Sequence, residues 1–270
     1  MMDTTLRSSR SPPAPSGRLR LGQIEIDRIT FGGALDAIEA LIQQRRGGLV
    51  FTPNVDHVVI AERRPDFRDA YAAADLSLAD GKPIVWSSRL LGEPVPEKIS
   101  GSDLVLPLMD RAAARGWRVF LLGAGPGVAE AAADRLRARG VAIVGTAAPM
   151  VCMDPGKSDP EGNAAVATIR AAHPDLVLVA FGAPKQELWM HHRCSELTPA
   201  VLLGIGASLD FVAGRVRRAP SWISHAGLEW LWRLLREPRR LWWRYLVEDP
   251  RFLAILWREL RHRRRQRDVP

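Results

Sequence analysis

Residues 117–128 read WRVFLLGAGPGV, an apolar run that ends in three spaced glycines and leads into a helical pattern. The apolar run over residues 117–122 predicts a buried β-strand. Gly123, Gly125 and Gly127 then lie at the start of a helix, where glycines let backbone N–H groups approach a phosphate. The stretch favours an α/β fold with a nucleotide or diphosphate site, the alternative being a plain tight turn.

The same alternation of strands and helices continues on both sides of this stretch. The other predicted strands are almost continuously apolar, as expected of a parallel sheet that helices cover on both faces. They comprise residues 48–52, 75–79, 141–144, 176–181 and 200–205, and the helices include 104–115, 128–139 and 164–172. Ser102, Asp103 and Asn163 are the candidate capping residues of the first and third of these helices. The pattern predicts a Rossmann-like α/β domain, in which ligands bind beyond the carboxyl ends of the strands.

Charge is distributed unevenly along the chain. The 270 residues carry a formal net charge of +8, but residues 213–270 alone hold 15 Arg, no Lys and 6 acids. We therefore predict a disordered tail over 1–20, an α/β catalytic domain over 21–212 and a helical Arg/Trp-rich appendage over 213–270. The N-terminal residues lack the apolar core of a signal peptide, and no apolar stretch reaches the roughly 18 residues that span a bilayer.

The appendage carries six of the nine Trp residues, and its apolar residues recur at helical spacing that Pro238 and Pro250 interrupt. Basic amphipathic helices with Trp are typical of proteins that lie on anionic bilayers. The same charge suits nucleic acid. The same spacing also suits packing on the body or on a partner subunit, with arginines over a diphosphate. We favour the membrane surface, which is compatible with packing, and expect no nucleic acid.

Polar residues follow the first two strands of the predicted sheet. Asp80 is the candidate general base, because a carboxylate at this edge can accept a proton from a substrate hydroxyl. Its alternative role is a helix cap. Thr52 and Asn54 flank Pro53 and are candidate catalytic helpers that hold sugar hydroxyls or an attacking group. Their alternative role is to cap the helix that begins near Val55.

The segment after the fifth strand reads GAPKQE from Gly182 and begins another helix. Pro184 suits the first helical position, while Lys185 and the free N–H groups of the helix suit an anion. Gln186 offers both a donor and an acceptor. Glu187 is a candidate substrate-binding residue, or merely a first-turn acid that suits the helix dipole.

Several common site types are missing from the sequence. A dinucleotide site requires an acid about 20 residues after the glycines, but residues 144–147 contain none and the next acid is Asp154. A nucleotide-dependent oxidoreductase is therefore the less favoured alternative. No Asp-x-Asp pair is present to hold a divalent cation, and the six histidines form no metal-binding array and are assigned no role. Cys152 and Cys194 also lack metal-site spacing, so we expect neither a metal nor a cofactor.

A collinear set of segments carries a family resemblance, although no single segment would suffice. The segments are TPN (52–54), ADG (79–81), SGSDL (100–104), VFLLGAGPGV (119–128), PDLVLVAFGAPKQE (174–187), GIGASLDFVAG (204–214), RAPSW (218–222) and GLEWLWRLLREPRRLWWRYL (227–246). In this order they resemble the WecG/TagA/CpsF glycosyltransferases, or glycosyltransferase family 26, over about residues 21–255.

The resemblance implies transfer of N-acetylmannosamine or a related sugar from a UDP-sugar to a polyprenyl-diphosphate-linked sugar, with inversion. It places the enzyme in bacterial cell-surface polysaccharide biosynthesis. It also implies a cytoplasmic protein attached peripherally to the inner face of the cell membrane, and it is compatible with a homo-oligomer.

Carried onto this chain, the family's general base falls on Asp80, and its polar helpers fall on Thr52, Asn54 and Gln186. The tail arginines that approach the diphosphate fall at three positions, Arg233, Arg240 and Arg244.

The chain departs from the family pattern near the substrate edges. Pro83 stands where many members have Gly, Asp56 stands where Glu is common, and Trp243 replaces an Arg. These differences bear on the identity of the sugar and not on the class of reaction.

Overall fold

The structure is a computed structural model that describes residues 17–154, 156–216, 229–236, 238–243 and 248–267. Its strands are β1 (Arg18–Leu21), β2 (Ile24–Asp27), β3 (Gly48–Phe51), β4 (Leu76–Ser77), β5 (Arg118–Gly123), β6 (Ala142–Ala147), β7 (Leu176–Ala180) and β8 (Val201–Gly204). Its first helices are α1 (Phe31–Gln44), α2 (Val55–Arg63), α3 (Pro65–Ala72), α4 (Lys82–Leu90), α5 (Gly101–Arg115) and α6 (Val128–Arg137). The later helices are α7 (Pro160–Ala172), α8 (Lys185–Leu197), α9 (Ser208–Val212), α10 (Glu229–Arg236), α11 (Pro238–Trp243) and α12 (Arg251–Arg267).

Strands β3 to β8 form one parallel sheet in the order β4-β3-β8-β7-β5-β6. Successive side chains point to opposite faces, so Leu49 and Phe51 join one apolar cluster and Val50 joins the other. Helices α2, α3, α7 and α8 cover the first face, and α1, α5 and α6 cover the second. The predicted Rossmann-like sheet with helices on both faces is therefore confirmed.

This strand order opens gaps at the carboxyl edge of the sheet. Strands β5 and β7 are neighbours, but α6 leaves β5 toward one face while α8 leaves β7 toward the other. The chain separates in the same way after β3 and β8, since α2 and α9 lie on opposite faces. Such divergence creates a crevice in which α/β proteins bind ligands. The candidate residues after these four strands therefore border one edge.

The predicted helix starts are wrong at two positions. Helix α5 is capped by Ser100, whose hydroxyl accepts a hydrogen bond from the Asp103 N–H at 3.2 Å, and not by Ser102 or Asp103. The first helical residue, Gly101, lies against the Ile205 backbone, where an added Cβ would approach to 3.1 Å.

Helix α7 likewise begins before the predicted cap Asn163. Asp159 is its cap, and its side chain accepts from the Gly162 N–H. Pro160 takes the first helical position, which suits the fixed φ of proline. A further difference is that β4 is shorter than the strand predicted over 75–79.

The hairpin of β1 and β2 was not predicted. It begins at Arg18, so residues 18–20 belong to the fold, and the predicted tail over 1–20 extends too far. Asp27 joins the hairpin to the sheet: its carboxylate accepts from the Ser77 N–H at 2.7 Å and from Arg18 Nε at 2.9 Å. Burial raises the pKa of Asp27, and the neighbouring Arg18 opposes that rise.

Helix α12, in the segment predicted as an appendage, packs on the α/β domain. Its Phe252 and Ile255 are buried in the cluster that contains α2 and the hairpin. Arg258 forms an ion pair with Glu62 of α2 at 2.6 Å. The packing interpretation of the tail thus holds for this helix. None of the helices in the described residues has the length and apolarity to cross a membrane.

We predict that Asp27→Ala lowers the free energy of unfolding by about 2 kcal/mol, because it leaves the buried Ser77 N–H without its acceptor and removes the carboxylate that accepts from Arg18 Nε. Urea unfolding measures the change. The control is Glu25→Ala, which removes a more exposed carboxylate of the same hairpin and is expected to cost less than about 0.5 kcal/mol. Equal losses in the two variants would contradict the anchoring role of Asp27.

Candidate functional site

Hydrogen bonds link the loops that follow neighbouring strands, and together these loops border the carboxyl edge of the sheet. The Thr52 hydroxyl donates to the Gly204 carbonyl at 3.2 Å, which links the ends of β3 and β8. The Asp80 N–H donates to the Pro53 carbonyl at 2.8 Å, and so it links the loops after β3 and β4. The ends of β5 and β7 are linked by the Ala124 N–H, which donates to the Ala180 carbonyl at 2.9 Å. Side chains on these loops are therefore held at fixed separations.

Asp80 lies half-buried in the loop between β4 and α4. The residue at the cap position of α4 is Gly81, whose φ of +106° suits glycine, so the alternative role of Asp80 as a helix cap does not apply. Burial is the largest cause that raises the pKa of the Tyr71 hydroxyl. Three carboxylates raise this pKa further, of which Glu187 has the largest effect and Asp80 the second largest. The carboxylate thus belongs to an acidic cluster at the site.

Asn54 does act as a helix cap. Its side-chain Oδ1 accepts from the N–H groups of Asp56 at 3.0 Å and His57 at 3.4 Å. These two donors identify that atom as oxygen, so a contact of Asn54 with a ligand would be made through Nδ2. Thr52 is buried and holds the neighbouring loop through its bond to β8. Both residues therefore shape the edge at which Asp80 lies.

Gln186 and Glu187 point into the protein at the start of α8 and are 3% and 1% exposed. Gln186 Nε2 donates to Glu187 Oε1 at 2.9 Å, while Gln186 Oε1 accepts from the Gly206 N–H at 2.9 Å. Glu187 Oε1 also lies 3.3 Å from Nε2 of His57. Gln186 Oε1 thus joins α8 to the residue that follows β8, Gln186 Nε2 holds the Glu187 carboxylate, and Glu187 contacts His57 of α2.

The side chain of Gln186 lies directly against Gly204. A Cβ at position 204 would come within 2.3 Å of Gln186 Nε2, so only glycine leaves room for it. Gly123 meets a similar constraint: its φ is +95°, and a Cβ there would lie 2.8 Å from the Ala180 carbonyl oxygen. These two glycines are required by close approach of the chain at the edge.

The starts of α6 and α8 border the gap between β5 and β7. Neither helix has a side-chain cap, and the positions before them are Gly127 and Pro184. Pro184 therefore precedes the first helical residue, Lys185, which is exposed. Uncapped N-termini and an exposed cation are features that bind anions. Gly125 and Gly182 lie in the same two loops.

Comparison with known proteins adds the chemistry of this edge. A family model described as "Glycosyl transferase WecG/TagA/CpsF family" matches residues 19–266. A Bacillus spizizenii protein is 32% identical over 225 residues, which cover 83% of this chain and 82% of the relative. That relative is named N-acetylglucosaminyldiphosphoundecaprenol N-acetyl-beta-D-mannosaminyltransferase. The chain belongs to the WecG/TagA/CpsF family.

Membership makes the protein a glycosyltransferase of cell-surface polysaccharide synthesis, as the motifs predicted. The oxidoreductase alternative is not favoured. Arg233 lies in α10 and Arg240 in α11, but their side chains are outside the described part of the structure. Arg244 lies outside the described residues altogether. The prediction that these arginines approach a diphosphate therefore stays a prediction.

The structure also brings to this edge residues for which the sequence indicates no role. His57 lies beside Glu187, Tyr71 meets the His57 ring edge-on, and Arg215 lies beside the glycine loop. The guanidinium of Arg215 is 3.1 Å from the position that a Cβ on Gly127 would occupy. A signal existed for His57, since it lies three residues after the capping Asn54, in the position that completes a capping box. The approach of Arg215 depends on long-range packing and left no local signal.

We predict that Gly204→Ala displaces Gln186 and lowers both stability and glycosyl transfer. Overpacking of this kind costs about 1–3 kcal/mol, which urea unfolding measures alongside a transfer assay. Gly32→Ala is the matched control, because no atom lies within 4 Å of the added Cβ on this exposed helical glycine. Wild-type stability and turnover in the Gly204 variant would contradict the packing argument.

Proposed function

We propose that the enzyme transfers an N-acetylmannosamine-type sugar, with inversion, from a UDP-sugar to a polyprenyl-diphosphate-linked sugar. The half-buried carboxylate of Asp80, on the loop-bordered edge of a WecG/TagA/CpsF fold, is the observation that carries the proposal. The printed activity of the Bacillus spizizenii relative supports the choice of donor and acceptor.

In the proposed mechanism, Asp80 accepts the proton of the acceptor hydroxyl as that oxygen attacks the anomeric carbon of the donor. The new bond forms on the face opposite to the departing UDP, so the anomeric configuration inverts. The bond between the anomeric carbon and the diphosphate oxygen breaks, and UDP leaves with the electron pair. Thr52 and Asn54 hold the β3 loop against which the sugars bind.

The diphosphate charge requires donors that are already oriented when it develops. The uncapped starts of α6 and α8 supply N–H groups near Gly123, Gly125 and Gly127 on one side and Gly182 and Pro184 on the other. Lys185 and Arg215 add positive charge at these two loops. Residues Arg233, Arg240 and Arg244 are proposed to complete the cradle from the tail.

We propose that this chemistry needs no metal ion. The sequence lacks an Asp-x-Asp pair, and within the described residues no three His, Cys, Asp or Glu side chains are placed to hold one. The N–H groups and cations named above would stabilise the leaving diphosphate instead.

The central prediction is that Asp80→Asn retains UDP binding but loses about 10²–10⁴-fold in turnover, because the general base is removed. Released UDP is measured with a UDP-sugar panel and a polyprenyl-diphosphate-linked N-acetylglucosamine acceptor, with and without EDTA. Calorimetry with UDP tests whether binding survives.

Asp69→Asn serves as the control, because it changes a carboxylate of α3 outside the site. Near-normal turnover of the Asp80 variant would remove Asp80 as the base. Loss of wild-type activity in EDTA that Mg²⁺ restores would overturn the proposal of a metal-independent reaction.

We also propose that the enzyme docks on an anionic membrane, where a polyprenyl-linked acceptor is found. Helix α12 supports this: opposite its buried residues, Leu253 is 67% exposed and Trp257 is 57% exposed. The Arg261 guanidinium lies 3.7 Å from the centre of the Trp257 ring. Helix α11 exposes Trp242 and Trp243 as well. Exposed Trp beside Arg is typical of helices at a bilayer interface.

We expect the double variant Leu253→Ser/Trp257→Ser to bind vesicles that contain phosphatidylglycerol about tenfold or more weakly, because two apolar side chains no longer insert. Sedimentation with vesicles measures binding. The control is Met150→Ser, which alters a highly exposed apolar residue in the loop before α7. Point variants are preferable to removal of the tail, because truncation would also uncover the core beneath Phe252 and Ile255. Unchanged binding in the double variant would contradict docking through α12.

A further inference from the structure

His57 and Glu187 form a buried contact to which the proposed mechanism gives no role. His57 Nε2 lies 3.3 Å from Glu187 Oε1, and the side chains are 8% and 1% exposed. The contact spans the sheet edge, because His57 is in the first turn of α2 after β3 and Glu187 is in the first turn of α8 after β7. A polar pair so far from solvent is costly unless its partners are well placed.

His57 Nδ1 lies close to one hydrogen-bond donor and to one acceptor. The Asn54 N–H approaches it at 3.1 Å as a donor, and Asn54 Oδ1 lies at 2.8 Å as an acceptor. A neutral imidazole with the proton on Nε2 accepts the backbone N–H, whereas an imidazolium donates to Oδ1. In both of these states Nε2 carries a proton, and Nε2 lies 3.3 Å from Glu187 Oε1. The pocket therefore holds the ring in one orientation whether or not it is charged.

Aromatic rings fix the plane of the imidazole. Phe67 stacks on it, with ring centres 5.9 Å apart and planes 22° apart, and Tyr71 meets it edge-on at 6.3 Å. The ionisable groups around Tyr71 are Glu187 of α8, Asp80 of the β4 loop and Asp56 of α2. Because burial and these carboxylates raise the Tyr71 pKa, its hydroxyl stays neutral. The imidazole is the basic group in contact with this acidic cluster.

The contact continues from Glu187 to the end of β8. Glu187 Oε1 accepts from Gln186 Nε2, and Gln186 Oε1 accepts from the Gly206 N–H. One path of polar contacts thus runs from Asn54 through His57, Glu187 and Gln186 to Gly206, in which the 3.3 Å contact of His57 with Glu187 joins two sets of hydrogen bonds. It joins the loops after β3, β7 and β8, which border the catalytic edge.

We propose that His57 and Glu187 are a positioning pair for the glycosyl transfer: they fix Asn54 and Gln186, and through them the three loops, around the reacting groups. This inference rests on the proposed function for its kinetic test. Neither residue needs to touch the substrate. Displacement of reacting groups by about 1 Å costs on the order of 10²-fold in rate even when the change lies away from the chemistry.

The kinetic test compares His57→Ala, Glu187→Ala and the double variant. Each single variant is expected to lose about 10²-fold in kcat, with the KM for UDP-sugar within about threefold of wild type. The double variant should be no more than about threefold slower than either single variant, because the two side chains act as one unit. Multiplying losses, or a change confined to KM, would overturn the proposal.

Conservative variants keep the test valid should an alanine variant fail to fold. A glutamine at position 57 can donate to Glu187 and accept from the Asn54 N–H, so His57→Gln should recover activity to within about tenfold of wild type. His192→Gln is the matched control, since it alters an exposed histidine on α8, and wild-type turnover is expected. A folded His57→Gln enzyme as slow as the alanine variant, by circular dichroism and kinetics, would contradict positioning by hydrogen bonds.

A readout without activity separates this inference from the proposed function. In ¹⁵N NMR of the histidine rings, His57 Nε2 is expected to carry a proton from pH 5 to 8, and Glu187→Gln should shift its resonance. A proton on Nδ1 alone would overturn the pair even in an active enzyme. If His57 Nε2 carries the proton as expected but the enzyme does not turn over UDP-sugar, the proposed function fails, whereas the contact of His57 with Glu187 is confirmed.

Discussion

The hydrogen bond from the Thr52 hydroxyl to the Gly204 carbonyl joins the two strands on which the site depends. Helices cover both faces of a parallel sheet, so a polar side chain on either face of these strands would be buried away from solvent. Polar chemistry is therefore confined to the residues just beyond the strands. Because adjacent chains diverge there, the loops need links of their own, and side chains supply several of them. Thr52, Asn54 and Gln186 thus make structural hydrogen bonds at the edge of the sheet on which the candidate site lies.

Small residues make these bonds geometrically feasible. Gln186 reaches the Gly206 N–H because Gly204 has no Cβ to block it. Gly101 at the start of helix α5 lets the helix lie against the Ile205 backbone, which an added Cβ would approach to 3.1 Å. Tight packing at the carboxyl edge brings polar side chains into dry surroundings, where each hydrogen bond is stronger and each missing one is more costly. The same surroundings explain why burial raises the pKa of Tyr71.

The sheet and the ring of loops were predictable because apolar strands and strand-end glycines have local signatures. The Asp80 position was predictable for the same reason, and the structure then separated it from the helix cap, which is Gly81. The hairpin was not predictable, since its four-residue strands alternate too briefly to be distinguished from a tail. The inward direction of Glu187 was also hidden, because a first-turn acid usually faces solvent. The His57 contact that explains it joins residues 130 positions apart.

Helix α12 reconciles two interpretations of the basic tail that charge counting alone leaves open. Two of its arginines, Arg258 and Arg263, form ion pairs with the body acids Glu62 and Glu93 and so help to hold the helix on the domain. Arg261, Arg264 and Arg265 are exposed and remain available to an anionic surface. One helix therefore closes the core with Phe252 and Ile255 while its other side presents cations and tryptophan. Since packing fixes the orientation of the helix, a membrane that contacts the exposed side would meet the catalytic domain in a defined orientation.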